Sequence, residues 1–143
     1  MNDYIKTWHK EHAQILETLL RVIQLDIFSK AGQMKLQELK RVLEAHLKSE
    51  DQNFYPVLRK AAETDPGLRR QLFLFATDMD KITAEAAVFF RKEENDPMDK
   101  DILAEFGRIS TIIKSRISRE ENILMKEFGK LTGPEADLTK MSS

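Results

Sequence analysis

The sequence contains no cysteine and is poor in glycine and proline, with 5 and 4 of its 143 residues. Without cysteine the chain cannot form disulfides, thiolate zinc sites or a thiol nucleophile. Its formal net charge of −1 offers no basic excess to neutralise phosphates, so no nucleic-acid partner is expected. No apolar run approaches the roughly 20 residues of a membrane span, and MNDYIKTWHKEH lacks the pattern of a secretory signal. We therefore expect a cytoplasmic protein with no membrane partner.

What the sequence does contain is typical of one globular domain. Hydrophobic residues make up 41% and charged residues 33%, the balance of a folded chain. Helix-breaking residues at 29–32, 65–67, 95–97 and 133–134 divide the chain into four segments of similar length. The first breaker is predicted to end the first helix, while Asp65 and Asp96 are predicted to cap the third and fourth. We expect a domain over residues 1–132 and a disordered tail over 133–143.

Each of the four segments carries an apolar stripe at alternating three- and four-residue spacing. The stripes are Ile5, Trp8, His12, Ile15, Leu19, Val22; Leu36, Leu39, Leu43, His46, Glu50, Asn53, Val57; Leu72, Phe75, Met79, Ile82, Ala86, Phe89; and Ile102, Phe106, Ile109, Ile113, Arg116, Glu120, Ile123. Four such stripes predict an all-α, antiparallel up-down four-helix bundle. Pro56, late in the second segment, is expected to kink or end its helix.

The two halves of the chain resemble each other. A shift of 70 residues places His46 over Arg116 and Glu50 over Glu120, and a shift of 67 places Trp8 over Phe75. The matching positions of the polar interruptions favour a duplicated helical hairpin.

Those polar interruptions are the main chemical feature of the sequence: His12, His46, Glu50, Arg116 and Glu120 stand at stripe positions. Burying an unpaired charge costs several kcal/mol, so we expect such side chains to be exposed, paired or bound to a metal. His46 and Glu50, four residues apart, project from one helix face. With a ligand from a neighbouring helix, they could hold one non-haem iron or a similar divalent ion. His9 is expected to lie at the surface, and Asp51 to face solvent beside an inward Glu50.

Three segments resemble the hemerythrin family, the HHE cation-binding domains: W-H-K-E-H-A-Q-I, L-E-A-H-L-K-S-E-D-Q-N-F-Y-P-V-L and R-I-S-R-E-E-N-I-L-M. The resemblance implies a four-helix bundle holding a carboxylate-bridged pair of non-haem irons that reversibly binds oxygen. It also implies that His12, His46 and Glu50 stand at ligand positions, and that Glu120 is the carboxylate of the second half.

The second half departs from the family pattern. Met79 and Arg116 stand where the third and fourth helices should each offer histidine, and only Glu121 and Glu127 lie near the remaining ligand positions. Arg116 would place a fixed cation near the layer glutamates. A paired-iron site is therefore not expected, which leaves either a single non-haem iron or other divalent metal, or no metal.

Three functions remain open at this point. The first is a hemerythrin-like cation-binding module with an incomplete ligand set, at most one metal, and a sensing or binding role. The second is a metal-free bundle for protein–protein interaction or regulation, with Arg116 replacing the metal and a protein partner or a second copy bound. The third, more remote, is histidine phosphotransfer through His46, which requires that side chain to be exposed. No catalytic motif is present, so no enzymatic activity is expected.

Overall fold

A computed structural model describes residues 3–132, and every regular element within that range is helical. The α-helices are α1 (Asp3–Gln24), α2 (Lys30–Ser49), α3 (Tyr55–Ala62), α4 (Pro66–Asn95), α5 (Ile102–Arg119) and α6 (Met125–Thr132). Two π-helical turns, the first at Glu50–Phe54 and the second at Glu120–Leu124, join α2 to α3 and α5 to α6. The result is the predicted all-α four-helix bundle, formed by α1, α2–α3, α4 and α5–α6. The predicted break at Gly133-Pro134 and the predicted tail lie outside the described residues.

The turn between α1 and α2 differs from the prediction. Residues 29–32 do not end α1 but begin α2, because the Ser29 hydroxyl accepts a hydrogen bond from the Gly32 N–H at 2.9 Å and so caps the helix. The chain reverses instead at Asp26, whose φ of 67° is left-handed. A Cβ on Gly32 would lie 1.9 Å from the Asp26 carbonyl oxygen, so this close approach requires glycine.

One of the two predicted aspartate caps is confirmed and the other is wrong. Asp65 accepts a hydrogen bond from the Leu68 N–H at 3.1 Å and begins α4 as expected. Asp96 instead follows the end of α4, where its N–H donates to the Lys92 carbonyl at 2.8 Å. The residue before a proline is disfavoured in helical conformation, so α4 ends there and α5 begins only at Ile102.

The first π turn changes the register of the second stripe. Glu50 is buried as predicted, but Asn53 is exposed and Val57 only half-buried, while Phe54 and Leu58 are buried in their place. A π turn takes about one residue more than an α turn, so every side chain after it is rotated. The prediction of Asn53 and Val57 as stripe residues was therefore wrong by one position.

The second π turn produces the same shift. Ile123, a predicted stripe residue, is half-buried, whereas Leu124 and Met125 are buried. Pro56 does not end its helix: it lies in the first turn of α3, directly after the first π turn, where a missing N–H is tolerated.

The apolar core consists of two clusters on either side of the polar layer. The larger cluster includes Ile15, Leu19, Leu36, Leu39, Ile102, Phe106 and Ile113. The smaller one is richer in aromatic side chains and includes Trp8, Phe54, Tyr55, Leu58, Phe75, Leu124 and Phe128. Within residues 3–132, no helix combines the length and apolar character that a bilayer crossing requires.

Candidate metal centre

Four predicted site residues meet in one buried layer between the two apolar clusters: His12, His46, Glu50 and Glu120. They come from α1, α2 and the two π turns, and none is more than 3% exposed. One ligand atom of each lies within 4.8 Å of those of the other three. The bundle therefore gathers two imidazoles and two carboxylates at a spacing that could surround one metal ion.

The outer nitrogen of each layer histidine contacts a carboxylate. His46 Nδ1 lies 2.7 Å from Glu11 Oε1, and His12 Nδ1 lies 3.1 Å from Glu121 Oε1. A neutral imidazole that donates Nδ1–H to such a carboxylate presents the Nε2 lone pair on its other side, as metal-binding histidines do. Both Nε2 atoms are buried and without a hydrogen-bond partner. Glu11 was not among the predicted residues, because a half-buried glutamate beside a stripe has no distinctive spacing.

Glu50 is the least exposed carboxylate of the layer. Its Oε2 accepts a hydrogen bond from Trp8 Nε1 at 2.8 Å and lies 3.3 Å from His46 Nε2, while its Oε1 is buried without a partner. Burial raises the pKa of Glu50, and the charge of Glu120 adds to this against the opposing effect of His46. Burial by itself lowers the pKa of His46, but Glu50 and Glu11 outweigh it and raise that pKa.

Glu120 has different neighbours. Its Oε2 accepts a hydrogen bond from the Tyr55 hydroxyl at 2.6 Å and lies 3.3 Å from Arg116 Nη2, and its Oε1 lies 3.5 Å from His12 Nε2. Burial raises the pKa of this carboxyl, but the His12 imidazole, the Arg116 charge and the Tyr55 hydroxyl outweigh it and hold the pKa below its usual value. Burial and the charge of Glu120 raise the pKa of Tyr55, so this hydroxyl stays protonated.

Arg116 enters the layer, as predicted, and is 3% exposed. Its Nη2 donates to the Tyr55 hydroxyl at 2.7 Å and its Nη1 to the Phe75 carbonyl at 3.3 Å. It was expected near both glutamates, but within residues 3–132 its only recorded ion pair is with Glu120. Tyr55 was not among the predicted site residues, although it lies in the second of the three segments that resemble the hemerythrin family.

The remaining predicted positions lie outside the layer or are not described. Met79 belongs to α4, but its side chain lies outside the described part of the structure. Glu127 pairs with Lys130 at 3.4 Å, at the exposed side of α6. His9, predicted to be at the surface, has a side chain 41% exposed. His46 is 3% exposed, so the exposed histidine that phosphotransfer requires is not found at this position.

A helical bundle with a buried layer of histidines and carboxylates is typical of the class of bundle proteins that hold non-haem metal ions between their helices. Within that class, the family of the Hemerythrin HHE cation binding domain matches residues 2–128 of this chain. The chain therefore belongs to the hemerythrin family, and the resemblance seen in its sequence is confirmed. Comparison with curated proteins and with solved structures gave no match.

Proposed function

We propose that this hemerythrin-family domain binds one divalent non-haem metal ion, iron in the first place, through His12, His46, Glu50 and Glu120. The observation that carries the proposal is the meeting of these four residues, whose ligand atoms lie within 4.8 Å of one another, in a layer where His12 Nε2, His46 Nε2 and Glu50 Oε1 are buried without hydrogen-bond partners. Leaving such an atom unsatisfied costs about 1–3 kcal/mol, so a bound ion would relieve several penalties at once. Imidazole and carboxylate donors suit iron and similar divalent ions. When bound, iron supplies a Lewis-acidic, redox-active centre.

Charge supports one ion over a pair. Glu50 and Glu120 each contribute −1 and Arg116 contributes +1. With both histidines neutral, the layer sums to −1. One divalent ion brings the sum of these buried charges to +1, which the carboxylates of Glu11 and Glu121 on the outer side of the imidazoles can balance. A second ion would add two further positive charges beside the fixed Arg116 cation, which is unfavourable in a buried layer. Arg116 thus takes the electrostatic place of the second metal of the family.

The proposed role is to bind or sense a small molecule or the metal itself, without catalysing a reaction. Each of the four ligand residues is at most 3% exposed, which favours a ligand as small as oxygen or nitric oxide over a larger substrate. The outer carboxylates, Glu11 and Glu121, would hold both imidazoles in the orientation that the metal requires.

The test is the metal content of the purified protein. Protein from iron-rich medium, and metal-free protein supplied anaerobically with ferrous iron, are analysed by mass spectrometry of the elements. We expect one iron per chain and its loss in Glu50→Gln, while Glu44→Gln, an exposed change on the same helix α2, retains it. A wild-type stoichiometry near zero under both conditions would overturn the proposal.

The Arg116–Tyr55–Glu120 network favours a second candidate, a metal-free bundle that binds a protein partner or a second copy of itself. Tyr55 and Arg116 already satisfy Glu120 Oε2 without any ion, at 2.6 and 3.3 Å. A well-folded wild-type protein that takes up no iron, and that elutes as an oligomer or captures a defined partner, would favour this candidate over the first.

A further inference from the structure

The third histidine of the chain belongs to a small cluster at the solvent-facing edge of the layer. One oxygen of Glu121, Oε1, lies 3.2 Å from His9 Nδ1 and 3.1 Å from His12 Nδ1. The side chains of His9 and Glu121 are 41% and 36% exposed, whereas that of His12 is 1% exposed. The cluster therefore extends from solvent to the buried layer.

The spacing of these atoms suits a divalent cation. Nitrogen and oxygen donors bind ions such as zinc at about 2.0–2.2 Å, which places neighbouring donor atoms about 3 Å apart. His9 and His12 are three residues apart on α1 and so lie on one helix face, opposite Glu121 of the second π turn. Two imidazole nitrogens and a carboxylate oxygen thus meet at the edge of the layer, where the side chains of His9 and Glu121 are open to water.

His12 belongs to both this cluster and the buried layer. Its Nδ1 faces Glu121, and its Nε2 lies 3.5 Å from Glu120 Oε1. Glu120 and Glu121 are consecutive residues of the second π turn. One imidazole and two adjacent carboxylates therefore connect the exposed cluster to the buried one.

The other outer carboxylate offers no such arrangement. Glu11, whose side chain is 32% exposed, holds His46 Nδ1 at 2.7 Å, and the third histidine of the chain lies beside Glu121 instead. Orienting an imidazole requires only a carboxylate, so His9 is unnecessary for that task. The extra imidazole at the Glu121 edge calls for a different explanation.

We infer that His9, Glu121 and His12 form a loading site, which captures a divalent metal ion from solvent before it reaches the buried cluster. While the ion is held there, His12 carries its proton on Nε2 instead of Nδ1, so that the Nδ1 lone pair is free to bind it. This inference rests on the proposed function. The contrary interpretation is that Glu121 only orients His12 and that His9 is an incidental surface neighbour.

Stopped-flow absorbance with Co²⁺ separates the two interpretations, because this ion gains a visible spectrum when protein ligands bind it. Metal-free wild-type protein and His9→Gln are mixed with Co²⁺, and the rate of uptake and the final spectrum are recorded. We expect His9→Gln to slow uptake on the order of tenfold, as loss of local ion capture would. Its final stoichiometry and spectrum should match the wild type, because His9 is not a ligand of the buried cluster.

Two further variants complete the experiment. Glu17→Gln removes an exposed carboxylate of α1 away from the layer and should leave the rate unchanged. Glu121→Gln removes the carboxylate from both roles, so both uptake rate and final affinity should fall. If His9→Gln folds normally and takes up Co²⁺ at the wild-type rate, the loading site is overturned and the proposed function stands. Failure of the wild-type chain to bind Co²⁺ at all overturns the proposed function together with it.

Discussion

The two π turns share one backbone geometry, but the pKa values of their buried glutamates are shifted in opposite directions. Each begins with a buried glutamate, Glu50 or Glu120, and closes with an N–H to carbonyl hydrogen bond back to that glutamate, from Tyr55 or Met125. Both glutamates are at most 1% exposed. Nevertheless the pKa of Glu50 is raised and that of Glu120 is lowered.

The neighbours explain the difference, because burial acts on both carboxyls in the same direction. Glu50 faces the neutral Trp8 indole and His46. Glu120 faces the His12 imidazole, the Arg116 guanidinium and the Tyr55 hydroxyl, which together lower its pKa. Arg116 stands where the sequence repeat places the counterpart of His46. The same backbone geometry therefore carries a candidate ligand histidine in the first half and a fixed cation in the second.

Arg116→Ala tests whether this cation stabilises the second half. The change leaves Glu120 buried and charged without its cation, so we expect the metal-free protein to lose about 3–5 kcal/mol of unfolding free energy. Urea denaturation at neutral pH measures the loss.

Arg119→Ala is the matched control, since both guanidinium groups lie over the Phe75 ring, at 5.2 Å for Arg119 and 5.9 Å for Arg116. Arg119 pairs with Asp78 at the surface, where such a pair is worth about 0–1 kcal/mol. Equal losses in the two variants would show that stacking on the ring, and not charge in the layer, is what Arg116 contributes.

Glu120→Gln tests the same ion pair by removing the charge of the carboxylate. The amide keeps the shape but weakens hydrogen bonds made to a charged group, which contribute about 1.5–3 kcal/mol, so unfolding free energy should fall by that order at pH 7. The folded pKa of Glu120 lies below its unfolded value, so its contribution is present above about pH 4.3 and is lost as the pH falls. The difference from wild type should therefore shrink in urea titrations repeated at acid pH. A difference that grew in acid would contradict the assigned direction.

Glu50→Gln should stabilise the metal-free protein, which is the opposite of the effect expected for Glu120→Gln. The folded pKa of Glu50 lies above its unfolded value, so deprotonation destabilises the fold as pH rises above about 4.3. An amide removes that charge while its oxygen can still accept from Trp8 Nε1–H, so we expect a gain on the order of 1 kcal/mol at pH 7. Thermal unfolding measures it, with Glu44→Gln as the exposed control. A loss as large as that of Glu120→Gln would show that the two carboxylates are equivalent after all.

The sequence was informative wherever helical periodicity was uninterrupted. All six predicted stripe residues of α1 are buried, although Thr18, which is also buried, was missed. The register of His12, His46, Glu50 and Glu120 in the stripes places all four side chains inside the bundle, where they meet. Their partners could not be predicted in the same way. Glu11 and Glu121 are half-exposed, and their role depends on contacts between different helices.

After Glu50 and after Glu120, the predicted stripe positions are wrong by one residue. The stripes were predicted on the assumption of 3.6 residues per helical turn. A π turn contains an additional residue, and no local sequence propensity indicates where it occurs. Tyr55, directly after the first π turn, was not among the predicted site residues, yet its hydroxyl donates to Glu120 at 2.6 Å. The stripe residues missed beyond Glu50 and Glu120, among them Phe54, Leu58 and Leu124, lie in or after the π turns, whereas Glu11 lies on the regular helix α1.

Pro56→Lys gives the first half the residue that the second half has, since Lys126 is its counterpart at a shift of 70 residues. The second π turn forms without a proline, so the first should persist, with the buried glutamate and the aromatic residues that follow holding the widened turn in place. The loss of proline should cost less than about 1 kcal/mol, mainly through greater freedom of the unfolded chain. Backbone chemical shifts of residues 50–55 report the turn, and urea denaturation reports the energy. Conversion of this segment to a regular α-helix would show that the two π turns, alike in shape, have different causes.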